Sequence, residues 1–410
     1  MGRSSFFGWR VVGAAFVTAV FAWGIGFYGP PIFLEVLHRT RGWPVPLVSA
    51  AITVHFLSGA ALVARLAMLH RRFGIVATTR AGAVLTGVGA LCWAEATSPW
   101  LLFPAALVSG AGWALTSGAA INAMVSPWFV RRRPAALGMA FNGASLGGVV
   151  FSPLWVVLIE ALGFARAAAA VAVAVTVVLW LLSGRYLGRD PAAMGVAPDG
   201  DASTPPPTRR LSAAALVKPW RDRRFVTLAV STTMALIAQI GLIAHLFSYL
   251  APRLGEHGAG VAMASVTACA IGGRSLLGWL MPAAADRRLI AAANIGVQLA
   301  GSAILLLAGE HASVLLLGSW LFGIGLGNVV SLPPLVAQIE FRPADVPRVV
   351  AVVTAVSQAG YAFAPGGFGL LLSLGGGGTA LFLGALLLQA AGIFVVLLGR
   401  RQAVNAMAPA

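Results

Sequence analysis

One arginine, Arg274, stands inside the apolar stretch ACAIGGRSLLGWL (residues 268–280), with no acidic residue nearer along the chain than Asp286. At the centre of a bilayer an arginine costs roughly 2.5–3.5 kcal/mol on insertion scales, so its position needs a compensating interaction. A guanidinium is always charged and presents a fork of N–H donors that matches a carboxylate. The expected compensating charge is a small organic anion. The competing expectation is that helix-end carbonyls, or an acid bent inward, satisfy it. The other arginine in an apolar stretch, Arg65, lies about six residues, roughly 9 Å of helix, from Arg71, and its long stem can snorkel to the headgroups. Arg274 is about thirteen residues, roughly 20 Å, from Arg287, too far to do the same.

Two histidines share apolar surroundings, His245 in GLIAHLFSYL and His55 in AITVHFLSG. Imidazole titrates near neutrality, so both are candidates for proton coupling; the plainer expectation is a neutral ring hydrogen-bonded inside a helical bundle. Tyr28, Trp113, Asn328, Gln358 and Tyr361 are the candidate substrate-lining residues, with Gln358 and Tyr361 three apart on one helix face. Aromatic and amide groups suit a small organic molecule with an apolar body.

Other chemistries find no support in the residue pattern. GASLG (143–147) matches a serine-hydrolase elbow, but that chemistry needs a strand-to-helix turn, and Ser145 lies in an apolar helical run. GIGLGN in the tenth apolar segment follows no strand, so it is not a dinucleotide loop. No metal-ligand spacing or phosphate loop occurs, and Cys92 and Cys269 read as small core residues. Neither an enzyme, nor a cofactor, nor an ATP-driven pump is expected.

The elements that must position Arg274 follow from composition. The chain has 410 residues, 59% hydrophobic and 10% charged, against about 25% charged for a soluble domain. Apolar runs recur at roughly 10–34, 47–69, 75–96, 101–126, 134–159, 164–183, 225–250, 258–281, 288–308, 312–338, 347–373 and 378–399, each long enough to cross a bilayer as helix. The expected fold is an all-α membrane protein of twelve transmembrane helices. The first run is expected to be a span rather than a cleaved signal, being too long and lacking a small-residue cleavage site. Residues 184–224 are rich in proline, glycine and charge, and divide the chain into six-helix bundles 1–183 and 225–410 joined by a linker. Matching breaks, LHRRFG and ADRRLI, make the two bundles pseudo-symmetric, as in carriers that rock one half against the other. In the fifth run, Gly143 and Gly147 are spaced for close helix approach, and in the eleventh GYAFAPGGFG is expected to break the helix.

A net charge of +16 invites a nucleic-acid reading, but the charges lie in the breaks between runs. With the N-terminus inside, 22 Lys and Arg fall on the inner side and 4 on the outer. This positive-inside bias places both termini in the cytoplasm, with the lipid bilayer and not nucleic acid as the partner.

Four segments resemble a known family: PWFVRRRPAALGMAFNGASLGG (127–148), FFGWRVVGAAF near the start, RDPAAMGVAPDG after the sixth run, and GGRSLLGWL in the eighth. The chain resembles the major facilitator superfamily over essentially its whole length, and within it the branch of monocarboxylate porters and oxalate:formate antiporters. The resemblance implies alternating access, a cavity lined by the first, fourth, seventh and tenth spans, and an eighth-span arginine that binds the substrate carboxylate, here Arg274. It also makes Arg71, Arg131 and Asp286 gating candidates. The chain departs from the branch in several places. Arg71 stands where an aspartate is usual, Ala270 where an acid or amide often precedes the arginine, and Trp113 and Ser117 near a missing tyrosine. The eleventh-span lysine is absent, with Gln358 nearest. One cation rather than two favours a monoanion. The expected protein is a carrier of a small monocarboxylate with proton symport, functional as a monomer in a bacterial-type inner membrane. The alternative is efflux of a neutral drug or metabolite, with Arg274 structural.

Overall fold

The computed structural model describes residues 6–63, 65–129, 132–200, 219–281, 285–342, 345–373 and 378–400, and among the described residues all regular structure is helical. Hydrocarbon offers no water to satisfy backbone N–H and C=O groups, so a chain this apolar must satisfy them within helices. The main helices are α1 (Phe7–Gly26), α2 (Gly29–Arg41), α3 (Val45–Val63), α4 (Leu66–Glu95), α5 (Leu102–Thr116), α6 (Gly118–Val125), α7 (Arg133–Leu162) and α8 (Phe164–Leu182). They continue as α9 (Arg223–Leu280), α10 (Arg287–Leu307), α11 (Ala312–Leu326), α12 (Leu332–Glu340), α13 (Val346–Tyr361), α14 (Ala364–Ser373) and α15 (Thr379–Leu398).

Among the described residues nine helical stretches are long and apolar enough to cross a bilayer. One of them, α9, runs for 58 residues and is two spans joined at Gly255, whose φ of +72° suits a residue without Cβ. The pairs α11–α12 and α13–α14 make two more, each in halves too short to cross singly. Together these recover the twelve spans expected from hydropathy. Large apolar side chains on the helix exteriors, such as Leu307 (83% exposed) and Leu387 (72%), form a surface for lipid rather than water. The protein is a multi-pass membrane protein.

Among the described residues four spans are broken along their length. The first breaks at Phe27–Tyr28, ahead of Pro30 and Pro31; the fourth at Ser117, whose backbone is extended (φ −89°, ψ −157°). The tenth breaks after Leu326, and the eleventh at Ala362–Phe363, next to Pro365 as expected. The breaks in spans one and four had no expectation attached to them.

The described residues cluster into two compact units. Unit 1 draws on Met1–Arg210, Ile243–Ala268 and Pro365–Leu374; unit 2 on Leu211–Leu242, Cys269–Ala364 and Gly375–Ala410. In unit 1, α1 packs along α7, α4 against α5 and α8, and α3 against α5. The α1–α7 contact depends on the expected small-residue pair: a Cβ on Gly147 would come within 2.5 Å of the Val20 carbonyl, and one on Gly143 would strike that of Phe16. A core of Val12, Ile121, Met124, Trp128 and Phe129 fills one end of the unit. In unit 2, α10 packs against α11 and α15, and α12 against α13, with a core of Phe225, Val336, Val349 and Val353.

Candidate functional site

Arg274 sits half-buried on the second span of α9, in unit 2. Its neighbour is the break between α11 and α12. There Ser331 and Leu332 both donate their N–H groups to the Asn328 carbonyl (3.1 and 2.9 Å). The Gly327 carbonyl is thereby released from the helical ladder, and Arg274 Nε donates to it at 3.1 Å. Close approach requires small residues: a Cβ on Gly273 would collide with the Ile324 backbone, and one on Gly327 with the Ala270 carbonyl. A helix-end carbonyl, a partner named by the competing expectation for Arg274, is therefore present. The bond runs through Nε, on the stem side of the guanidinium, and so orients the terminal fork that matches a carboxylate.

The acids of unit 2 are engaged elsewhere. Asp222 pairs with Arg224 (2.8 Å), Glu340 with Arg288 (2.6 Å), Asp286 with Arg400 (2.7 Å) and Asp345 with Arg342 (3.2 Å). The remaining one, Glu310, is exposed beyond the end of α10. In the same unit, Asn328 is buried at the break, its Oδ1 without a hydrogen-bond partner among the described residues. Gln358 and Tyr361 both lie on α13, three residues apart on one helix face.

Unit 1 holds the aromatic and imidazole candidates. Trp113, one turn before the break at Ser117, lies 4.9 Å from Trp23 edge-on, 6.2 Å from Phe27 and 6.2 Å from Phe56. Tyr28 packs edge-on against Phe27 at 5.0 Å, at the junction of α1 and α2. Edge-to-face and offset pairs of this kind make a π-rich apolar surface. His55 is buried on α3; its Nδ1 meets Ser109 Oγ at 2.8 Å, which also accepts from Trp93 Nε1 at 3.1 Å. His245 is fully buried on the first span of α9, with Nε2 2.9 Å from the Pro365 carbonyl.

The sequence profile of the Major Facilitator Superfamily matches residues 14–365. The chain belongs to the major facilitator superfamily. This superfamily member is 27% identical over 329 residues to monocarboxylate transporter 12 of Rattus norvegicus, covering 74% of this chain and 67% of the relative. It is 38% identical over 93 residues to monocarboxylate transporter 13 of Bos taurus, covering 22% of each. It is 28% identical over 217 residues to monocarboxylate transporter 11 of Homo sapiens, covering 52% of the chain but 43% of the relative. The alignments with the bovine and human relatives thus span less than half of those proteins. Its fold matches the nucleoside transporter NupG at a TM-score of 0.72 and 10% identity, over 96% of this chain and 98% of that one. It also matches a bacterial homolog of the human lysosomal transporter Spinster, in an inward-facing and occupied conformation, at 0.71 and 14%, over 97% and 96%. The protein is a membrane transporter of the major facilitator fold, related at low identity to monocarboxylate transporters, and not an enzyme.

Of this transporter's gating candidates, Arg71 is exposed near the start of α4 and Arg131 lies outside the described residues. Asp286 caps α10, accepting the N–H groups of Arg288 (2.9 Å) and Leu289 (3.2 Å). Partial burial works against its ionisation, but the Arg400 hydrogen bond and these amides outweigh it and hold the carboxyl below its ordinary range.

Two polar assemblies were not anticipated. Arg288, counted from sequence with the basic residues of the inner breaks, is 1% exposed and bonded to Glu340. A buried ladder also crosses unit 2: Gln298 donates to Gln239 (3.0 Å) and Gln389 to Ser302 (3.1 Å). The amides were visible as polar residues deep in apolar runs; their pairing was not.

Proposed function

We propose that this transporter carries a small organic monocarboxylate, that Arg274 receives the carboxylate, and that a proton moves with it. The observation that carries the reading is the bond from Arg274 Nε to the Gly327 carbonyl, which orients the terminal fork of the guanidinium at a broken helix. In the same unit Asp222, Glu340, Asp345 and Asp286 pair with Arg224, Arg288, Arg342 and Arg400. An arginine oriented at a broken helix by a neutral carbonyl suits an anionic cargo, because its fork matches a carboxylate. The carbonyl of Gly327 supplies orientation rather than counter-charge. A proton bound with the anion would neutralise the load before it crosses the low-dielectric interior. The kinship with monocarboxylate transporters 11, 12 and 13 supports a monocarboxylate, and the Trp113 cluster is chemically suited to an apolar body.

In this reading the bundles 1–183 and 225–410, linked through 184–224, alternate access to the site as a monomer in a bacterial-type inner membrane, with both termini cytoplasmic. The test is uptake of radiolabelled monocarboxylates by proteoliposomes. A charged hydrogen bond contributes about 1.5–3 kcal/mol, so Arg274→Ala should lose roughly 10–150-fold in apparent affinity. Arg274→Lys, which keeps charge but not the fork, should recover part of it. Unimpaired uptake by Arg274→Ala overturns the anion assignment and favours a neutral cargo. Uptake indifferent to an imposed pH gradient overturns proton symport.

A further inference from the structure

The start of α14 is held by side chains from two other helices of unit 1. The first N–H groups of any helix have no partner within it. Here the N–H of Gly366 is capped by Thr53 Oγ1 of α3 at 2.9 Å. The adjoining Pro365 carbonyl accepts from His245 of α9 at 2.9 Å. A carbonyl can only accept, so this contact defines the tautomer: Nε2 bears the hydrogen and Nδ1 a lone pair. That lone pair is buried with no partner among the described residues, as is Ser49 Oγ, on α3. The three helices interlock here: a Cβ built on Gly369 of α14 would collide with Ser49 Oγ and touch His245 Cε1 at 3.4 Å.

Among the described residues no hydrogen bond or ion pair joins a carboxylate to His245, so none is in place to balance a second proton. α14 carries no ionisable residue, and α3 only His55, whose Nδ1 is engaged with Ser109. Of the helices packed on α3, α5 carries none, α2 carries Glu35, His38, Arg39 and Arg41, and α4 carries His70, Arg71, Arg72, Arg80 and Glu95. On α9 the nearest acid is Glu256, roughly three turns further on, and it is bonded to Arg39. Beside it His257 pairs with Glu160 of α7 (3.2 Å).

We infer that His245 is a proton-binding site that controls this three-helix latch: the neutral ring holds α14 against α3 and α9, and proton uptake at Nδ1 releases it. A cation formed in the closed latch would be buried without a counter-charge, at a cost of several kcal/mol. The protonated protein therefore favours the state in which the ring reaches water, and by linkage acid favours the released latch. The Lys and Arg distribution puts this end outside, so external acid would open the outer gate. The inference rests on the proton-coupled reading above and gives its proton a binding atom.

The test is pulsed electron-electron spin resonance on the full chain in liposomes without cargo. Spin labels at Thr40→Cys on α2 and Ser373→Cys on α14, both exposed positions outside the latch, would report the separation, with Cys92 and Cys269 replaced by alanine. Between about pH 8 and pH 5, a longer-distance population should grow by up to about tenfold per pH unit, the limit for one proton. His245→Gln retains an N–H donor for Pro365 but cannot take a proton, and should stay short throughout. His245→Ala should show the longer distance at every pH. A wild-type distance that ignores pH, or a His245→Gln response equal to wild type, overturns the latch whatever carboxylate uptake does. A wild type that opens in acid yet moves no carboxylate supports the latch and overturns the cargo assignment.

Discussion

Breaking the Arg288–Glu340 pair should destabilise unit 2 more than any surface charge change. All five guanidinium N–H groups of Arg288 are used: two on Glu340 (2.6 and 2.8 Å), two on the carbonyls of Arg224 (2.7 Å) and Val396 (3.2 Å), and one on Thr227 Oγ1 (2.9 Å). These bonds tie α10 to α9, α12 and α15. Removing one partner of a buried pair costs about 3–5 kcal/mol, because the other charge is left without compensation. The two single changes should differ in size. Arg288 is 1% exposed and Glu340 19%, so a stranded Glu340 recovers some hydration while a stranded Arg288 recovers almost none. Glu340→Gln should therefore cost the full 3–5 kcal/mol, and Arg288→Met less. The double change to methionine removes both charges and should fall well short of the summed single costs, since apolar replacement of a whole buried pair is often near neutral. Denaturant unfolding in detergent, run as a double-mutant cycle, reads all three. A Glu340→Gln protein within about 0.5 kcal/mol of wild type, or single costs that simply add, would refute the argument.

Two further expectations follow from the geometry. Gly147→Leu forces a side chain against the Val20 carbonyl and separates α1 from α7; overpacking of this kind costs about 1–3 kcal/mol, and an unchanged thermal midpoint would count against close packing there. Asp286 has its pKa depressed in the fold, so its contribution is present above the ordinary carboxylate pKa and fades as pH falls through the lower folded value; Asp286→Asn, which keeps a capping side chain, should flatten the midpoint-against-pH curve at about pH 4 and below, and an equally steep curve would exclude that role.

The expectation that GYAFAPGGFG breaks a helix was legible because proline and glycine act locally, through a missing N–H and a missing Cβ. The break at Ser117 was not, although Gly118 follows it, because a lone glycine inside an apolar run is tolerated within a helix. Arg274 was legible for a similar reason: an arginine deep in hydrocarbon is conspicuous whatever surrounds it. Its carbonyl partner depends on how Ser331 and Leu332 spend their N–H groups, which no local pattern declares.

Hydropathy by itself determined the all-helical, multi-pass architecture, because a backbone in lipid has few ways to satisfy its own polar groups. The short matching segments determined the superfamily. Tertiary structure alone decided that Arg288 is interior rather than a surface charge, which acids are committed, and which ring nitrogen of His245 carries its hydrogen. The reason is that a membrane span is apolar toward both lipid and neighbouring helices, so its periodicity does not announce which face is buried. Partners far apart in sequence meet only once those faces have been chosen.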